Sequence, residues 1–184
     1  MNYIRKVFLL LKFFLKKKIK YIFNIKNYNE KNLEDVFKSI ITMEISVDLI
    51  IDVGAYKGNW SSIANKYFKD AELILVEPNP ILFKDLNQTF KIKNSTIINY
   101  AVSNYLGKKK FMISIRDDSS RLIESNKVIP NDFSKFIYVN VSRLDNLIKN
   151  FNDRNILLKI DAEGQDLNVL EGSKKLLQYC SIIF

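Results

Sequence analysis

Short apolar runs in this chain end on polar residues that could do chemistry. Asp52 and Gly54 close the run that starts at Leu49, and Glu77 closes Leu73-Ile74-Leu75-Val76. Ser103 follows Ala101-Val102, and Asp161 with Glu163 closes Ile156-Leu157-Leu158-Lys159-Ile160. What these residues can do is narrowed by what the chain lacks. There is no histidine, which excludes Ser-His-Asp and Cys-His nucleophiles, HExxH zinc helices and imidazole proton shuttles. The one cysteine, Cys180, excludes disulfide frameworks and thiolate zinc sites. It sits in the apolar run 180–184 and reads as a buried strand residue. Acid-base work therefore falls to Asp, Glu, Lys or Tyr, and a metal would be a hard, oxygen-bound ion such as Mg²⁺.

The elements that must position these groups alternate. Residues 48–53, 73–76, 96–101, 109–115, 136–141, 156–160 and 181–184 read as strands. Helical patterns cover about 33–43, 59–68 and 80–90, a short stretch after Ser142, and 165–178. Asn79-Pro80 has the form of an N-cap followed by a first-turn proline, and Ser142-Arg-Leu-Asp145 has capping-box spacing. Residues 116–135 lack periodicity and read as a loop over one end of the sheet. The alternation predicts an α/β fold with a mostly parallel sheet and helices on both faces. In such sheets ligands bind outside the carboxyl ends of the strands, where strand order reverses. Asp52, Glu77, Ser103, Asp161 and Glu163 are all placed there.

The first strand–helix turn is Asp52-Val-Gly54-Ala55-Tyr-Lys-Gly58. Its two glycines permit a tight turn and close approach of a ligand to the backbone. Their spacing is GxxxG, unlike the GxGxxG of a dinucleotide site. Glu77, at the end of the second strand, stands where a carboxylate accepts hydrogen bonds from both hydroxyls of a ribose. Together they point to a nucleoside ligand.

These segments, in this order, resemble the FkbM family of S-adenosylmethionine (SAM)-dependent methyltransferases. The resemblance rests on Asp52-Val-Gly-Ala-Tyr-Lys-Gly-Asn-Trp-Ser61, Val76-Glu-Pro-Asn-Pro80, Ala101-Val-Ser103 before Gly107, Ser119-Ser120, Arg143-Leu-Asp145, Leu158-Lys-Ile-Asp-Ala-Glu-Gly164 and Val169-Leu-Glu-Gly172. It covers about Val47 to Phe184 and implies a Rossmann-like methyltransferase fold and O-methylation of sugars or polyketide-like products. It implies that the methionine part of SAM lies against Gly54, Ala55 and Gly58, with Asp52 supporting that loop. Glu77 would take the ribose, and Ala101 to Ser103 would lie near the adenine. Tyr56 stands where Asn is common in the family. Such folds normally end in a further helix and a β-hairpin beside the fifth strand, whereas this sequence stops at Phe184. The expectation is a missing hairpin and an unpaired apolar edge.

Asp161 and Glu163 are the candidates for catalysis. Methyl transfer to a hydroxyl is an in-line displacement, so alignment of the reactants is the main task and a carboxylate can accept the hydroxyl proton. Asp161 is also the candidate ligand for Mg²⁺, by fold-level analogy with other O-methyltransferases. Asp145 reads as a helix cap, and Ser119 and Ser120 as a polar loop pair near the acceptor.

The charge of +9 is carried by one end. Residues 1–31 hold nine basic residues and one acidic, and residues 32–184 hold twenty basic and nineteen acidic. The body is nearly neutral, so no nucleic-acid partner is expected. Residues 1–31 read as a basic amphipathic helix, separate from a methyltransferase domain at 32–184. Its longest apolar stretch is too short to span a bilayer. Through residues 3–23 it fits either the surface of an anionic membrane or packing on the core or a second subunit. The expected setting is cytoplasmic, peripheral on the inner face of the membrane, with a glycan or other hydroxyl-bearing acceptor. The alternative is a non-catalytic, truncated methyltransferase-like module that binds membrane or a partner.

Overall fold

The structure, a computed structural model, describes residues 21–22, 30–114, 120–123 and 133–184. Most of the amino-terminal amphipathic segment and of the loop over the sheet lies outside the described residues.

Six parallel strands form the main sheet in the order β1-β10-β9-β2-β3-β4. They are β1 (Tyr21–Ile22), β2 (Leu49–Val53), β3 (Glu72–Val76), β4 (Ser95–Ile98), β9 (Ile156–Ile160) and β10 (Cys180–Ile183). Strand order reverses between β2 and β9, which pair in register from Leu49↔Ile156 to Val53↔Ile160. The continuous apolar character of β2, β3 and β9 follows from burial on both faces. On one face Ile50, Leu73, Leu75 and Leu157 pack against Leu33, Phe37 and Ile40 of α1 (Glu30–Thr42), and against Trp60 and Ile63 of α2 (Asn59–Tyr67). Leu86 of α3 (Pro80–Thr89) joins this layer. On the other face Leu49, Ile51, Val53, Ile156 and Leu158 pack against Leu144 of the short α4 (Leu144–Leu147) and Val169 of α5 (Asp166–Glu171). The period-2 alternation of the strands thus feeds two cores. Among the described residues no helix is long and apolar enough to cross a membrane.

A second sheet, β5-β8-β6-β7, comprises β5 (Ala101–Val102), β6 (Gly107–Ser114), β7 (Arg121–Leu122) and β8 (Phe133–Ser142). Its presence corrects one expectation, because the run read as a single strand over 96–101 divides between two sheets. β4 ends at Ile98, and the Asn99 side-chain amide donates to the carbonyls of Glu77 and Pro78 at 2.8 and 3.1 Å. The chain then turns so that Ala101 and Val102 pair with Val141 and Ser142. Apolar content does not show that change of partner.

The helix expected over 165–178 is also interrupted. α5 stops at Glu171, and a 3-10 turn occupies Leu176–Tyr179. Gly172 packs so closely on the strand-end backbone that an added Cβ would lie 2.1 Å from the carbonyl oxygen of Ser103. The capping box at Ser142–Asp145 does not form, since α4 begins after Arg143 with no side-chain cap. Asp145 instead accepts from the backbone N–H groups of Lys175 and Leu176 at 3.2 and 3.0 Å, capping the 3-10 turn from across the chain.

The edge of β10 is not bare. Tyr21 and Ile22 pair with Ile182 and Ile183 as a short parallel strand, so the sheet reaches back into the segment read as a separate helix. That short strand answers the exposed-edge liability that the sequence raises at Cys180–Ile183.

Candidate functional site

A cavity of about 140 Å³ opens at the carboxyl ends of β2, β3 and β9, where strand order reverses. Gly54, Tyr56, Glu77, Ala101, Asp161 and Glu163 meet in its wall.

Glu77 follows β3 directly and is 5% exposed. The chain folds back over it: its Oε2 accepts from the backbone N–H of Tyr56 and its Oε1 from that of Asn79, each at 2.8 Å. Asn79 in turn caps α3, its Oδ1 accepting from the N–H of Ile81 at 3.0 Å, as the Asn-Pro pair predicts. Burial pushes the Glu77 carboxyl up from its ordinary 4.5 to about 7, against the pull of the two backbone donors. Asp52 raises it further and Lys159 lowers it. Each carboxylate oxygen keeps acceptor capacity beyond its single backbone donor, so Glu77 fits a diol on the cavity side.

The Gly54 turn is built for packing. Gly54 has φ +78°, and a Cβ there would lie 2.0 Å from the carbonyl oxygen of Asp161, so β2 and β9 come together at this point. Gly58 has φ +76°, and a Cβ would lie 2.8 Å from the Phe90 ring and 3.0 Å from Leu86. It faces helix α3, away from the cavity. Ala55 is buried in the core beneath the turn. Of the turn residues expected to bind a cofactor, Gly54 alone reaches the cavity wall.

Asp52 lies under the turn and is wholly buried. It accepts from the Ser61 hydroxyl at 2.7 Å and pairs with the Lys159 ammonium at 2.9 Å. Its role in the geometry is support for the loop. Ser103 is likewise buried off the cavity, and its N–H donates to the Ser142 carbonyl at 2.9 Å.

Asp161 presents a different environment. Its side chain is 58% exposed, and Lys159 stands 3.7 Å from it. Glu163, at φ +42°, belongs to the same turn. The N-cap of α5 is Gln165, with no side-chain bond, and Asp166 accepts from the N–H of Ala162 at 3.0 Å. Among the described residues no group of three His, Cys, Asp or Glu side chains could hold a metal ion. With only Asp161 and Glu163 in that turn and the Lys159 ammonium beside Asp161, the donor set does not support Mg²⁺. Ser120 lines the cavity, its hydroxyl accepting from the Ser114 N–H at 3.0 Å, while Ser119 lies outside the described residues. Burial pushes the Cys180 thiol up, which agrees with a packing role.

Two residues of the site escape the sequence reading. Lys159 is 6% exposed and donates to the Gly54 carbonyl at 2.8 Å as well as pairing with Asp52. Its signal was available, since a lysine within a strand buried on both faces requires a buried counter-charge. Tyr56 places its N–H on Glu77 from a left-handed conformation, φ +52°, which Asn adopts far more readily than Tyr.

Comparison with known proteins sets this geometry in context. The family model "Methyltransferase FkbM domain" matches residues 52–184. Among curated proteins no relative matches. Similar solved structures include the plantazolicin methyltransferase BpumL in complex with SAH. That pair has 16% identity and a TM-score of 0.42, covering 84% of this chain and 45% of the other. The same enzyme with SAH and a triazolic desmethylPZN analog has 16% identity and a TM-score of 0.44, covering 83% and 44%. This chain thus spans less than half the length of that neighbour. The family match includes all three strand ends that form the cavity, and by it the chain belongs to the FkbM methyltransferase family.

Proposed function

We propose that this protein is a SAM-dependent O-methyltransferase acting on a hydroxyl of a glycan or similar acceptor. The observation that carries the reading is Glu77: a buried carboxylate in a cavity wall at the switch point, held by two backbone N–H groups. A carboxylate so placed suits the two hydroxyls of a ribose. When bound, SAM supplies an activated methyl group. The protein's own part is then binding, alignment and proton removal. Glu77 binds the nucleoside, Gly54 closes the floor, and Ala101 offers a flat apolar wall for the base. Asp161 accepts the proton of the acceptor hydroxyl as it attacks, with Lys159 orienting the carboxylate, and Glu163 is the second acidic group within the same turn.

The family resemblance supports a glycan acceptor, and the exposed position of Asp161 is open to a bulky, hydroxyl-bearing one. The basic residues of 1–31 support contact with an anionic membrane surface, where lipid-linked glycan precursors are assembled. The test is transfer of radiolabelled methyl from SAM to a cell-envelope glycan fraction, followed by release of the label as a methyl ether. Label in glycan with wild type and little with Asp161→Asn supports the reading. SAM binding without transfer to any hydroxyl acceptor points to the non-catalytic alternative.

A further inference from the structure

The second sheet has a face that the methyltransferase reading does not use. Register places Lys108 opposite Asn140 and Lys110 opposite Tyr138, with Phe136 on the same side of β8; Met112, opposite Phe136, is buried there against Ile123. The other side carries Phe111, Val139 and Val141, packed with Ala101 and Leu122. Phe111 also lines the cavity. Of the six large hydrophobic residues exposed among the described residues, three belong to this sheet or its entry turn: Leu106, Phe136 and Tyr138, the last 64% exposed. On this side β6 and β8 carry Lys108 and Lys110 and no acidic residue, while Lys109 and Lys135 fall on the other side.

We infer that this face is a docking surface for an anionic lipid bilayer. Lysines on strands that themselves carry no acidic residue complement anionic headgroups, and the exposed phenol and phenyl rings suit the headgroup depth, where one end is apolar and the other wet. The ring geometry argues against a stacking platform for sugars or bases. Phe136 and Tyr138 meet edge to face, with centroids 6.4 Å apart and planes at 89°, so they present no common plane. The Lys110 ammonium lies 4.7 Å from the Phe136 centroid and occupies the face on which a planar ligand would stack. Because Phe111 lines the cavity from the opposite side of the same strand, docking here holds the cavity one sheet layer from the lipid. The inference stands independently of the cofactor assignment.

The test is flotation of the full chain with two kinds of vesicle, one of pure phosphatidylcholine and one with about a quarter phosphatidylglycerol, at low and at about 0.5 M salt. Wild type should bind the anionic vesicles at low salt and lose them at high salt. Lys108→Glu/Lys110→Glu should weaken binding at least about tenfold, and Tyr138→Ser severalfold, with melting temperatures unchanged. The charge-reversal pair binding as wild type would place any membrane affinity in residues 1–31 and overturn the proposal. So would a wild type that ignores anionic vesicles, or one that forms a dimer or captures single-stranded oligonucleotides through this face without binding lipid.

Discussion

The two strand ends that face each other across the cavity are built differently. At the end of β3, Glu77 is buried, capped on both oxygens by backbone N–H groups and backed by the Asn79 cap of α3. At the end of β9, Asp161 is mostly exposed and the Lys159 ammonium stands 3.7 Å away. The position of the first is set by the fold, and the proposed reading makes it the binding group. The second is open to solvent, and the proposed reading has it take the proton of the acceptor hydroxyl. Ligand affinity should therefore follow the β3 side and turnover the β9 side, so that mutations on the two sides separate cleanly.

The widest separation should come from Asp161→Asn. Loss of a general base lowers the methyl-transfer rate by about 10²–10⁴-fold, while SAM affinity by calorimetry stays at the wild-type value. Equal losses in rate and affinity would erase the distinction between the two ends. Lys159→Met attacks the buried ion pair that ties β9 to β2, the strand between the two ends. Removing one member of a buried ion pair costs about 3–5 kcal/mol, read as a lowered urea midpoint, because Asp52 is left charged without its counter-ion. Adding Asp52→Asn should recover part of that stability. Asn79→Ala is the mildest change, costing about 1 kcal/mol in thermal unfolding through the lost cap, and it should weaken SAM binding only slightly.

The contrast also shows what sequence alone conveys. Glu77-Pro78-Asn79-Pro80 could be read because each residue type has a local reason: strand end, cap and first-turn proline. The parallel sheet and the location of the cavity followed from alternation and strand ends. The roles of the two glycines were less legible. Glycine permits φ near +78° wherever it occurs, but whether the space beside it holds a ligand, Asp161 or Phe90 depends on tertiary packing. The division of residues 95–102 between two sheets was hidden for a similar reason, since an apolar strand does not name its partner. Asp145 shows the same limit, because a side chain with capping-box spacing instead capped a turn thirty residues on.

The pH dependence of the binding side follows from Glu77. With its carboxyl raised to about 7, folding favours the protonated group, so its contribution to stability declines as pH rises from about 4.5 through about 7. Acceptance of ribose hydroxyls favours the ionised group, so affinity should change in the opposite direction. The most direct test is calorimetric titration with SAM at pH 6 and pH 8, for wild type and Glu77→Gln. The expected result is a wild-type affinity about tenfold higher at pH 8, and a variant at least tenfold weaker at pH 8 and flat between the two values. A folded Glu77→Gln protein that binds SAM as tightly as wild type, with the same pH profile, would contradict the assignment of this strand end to the nucleoside.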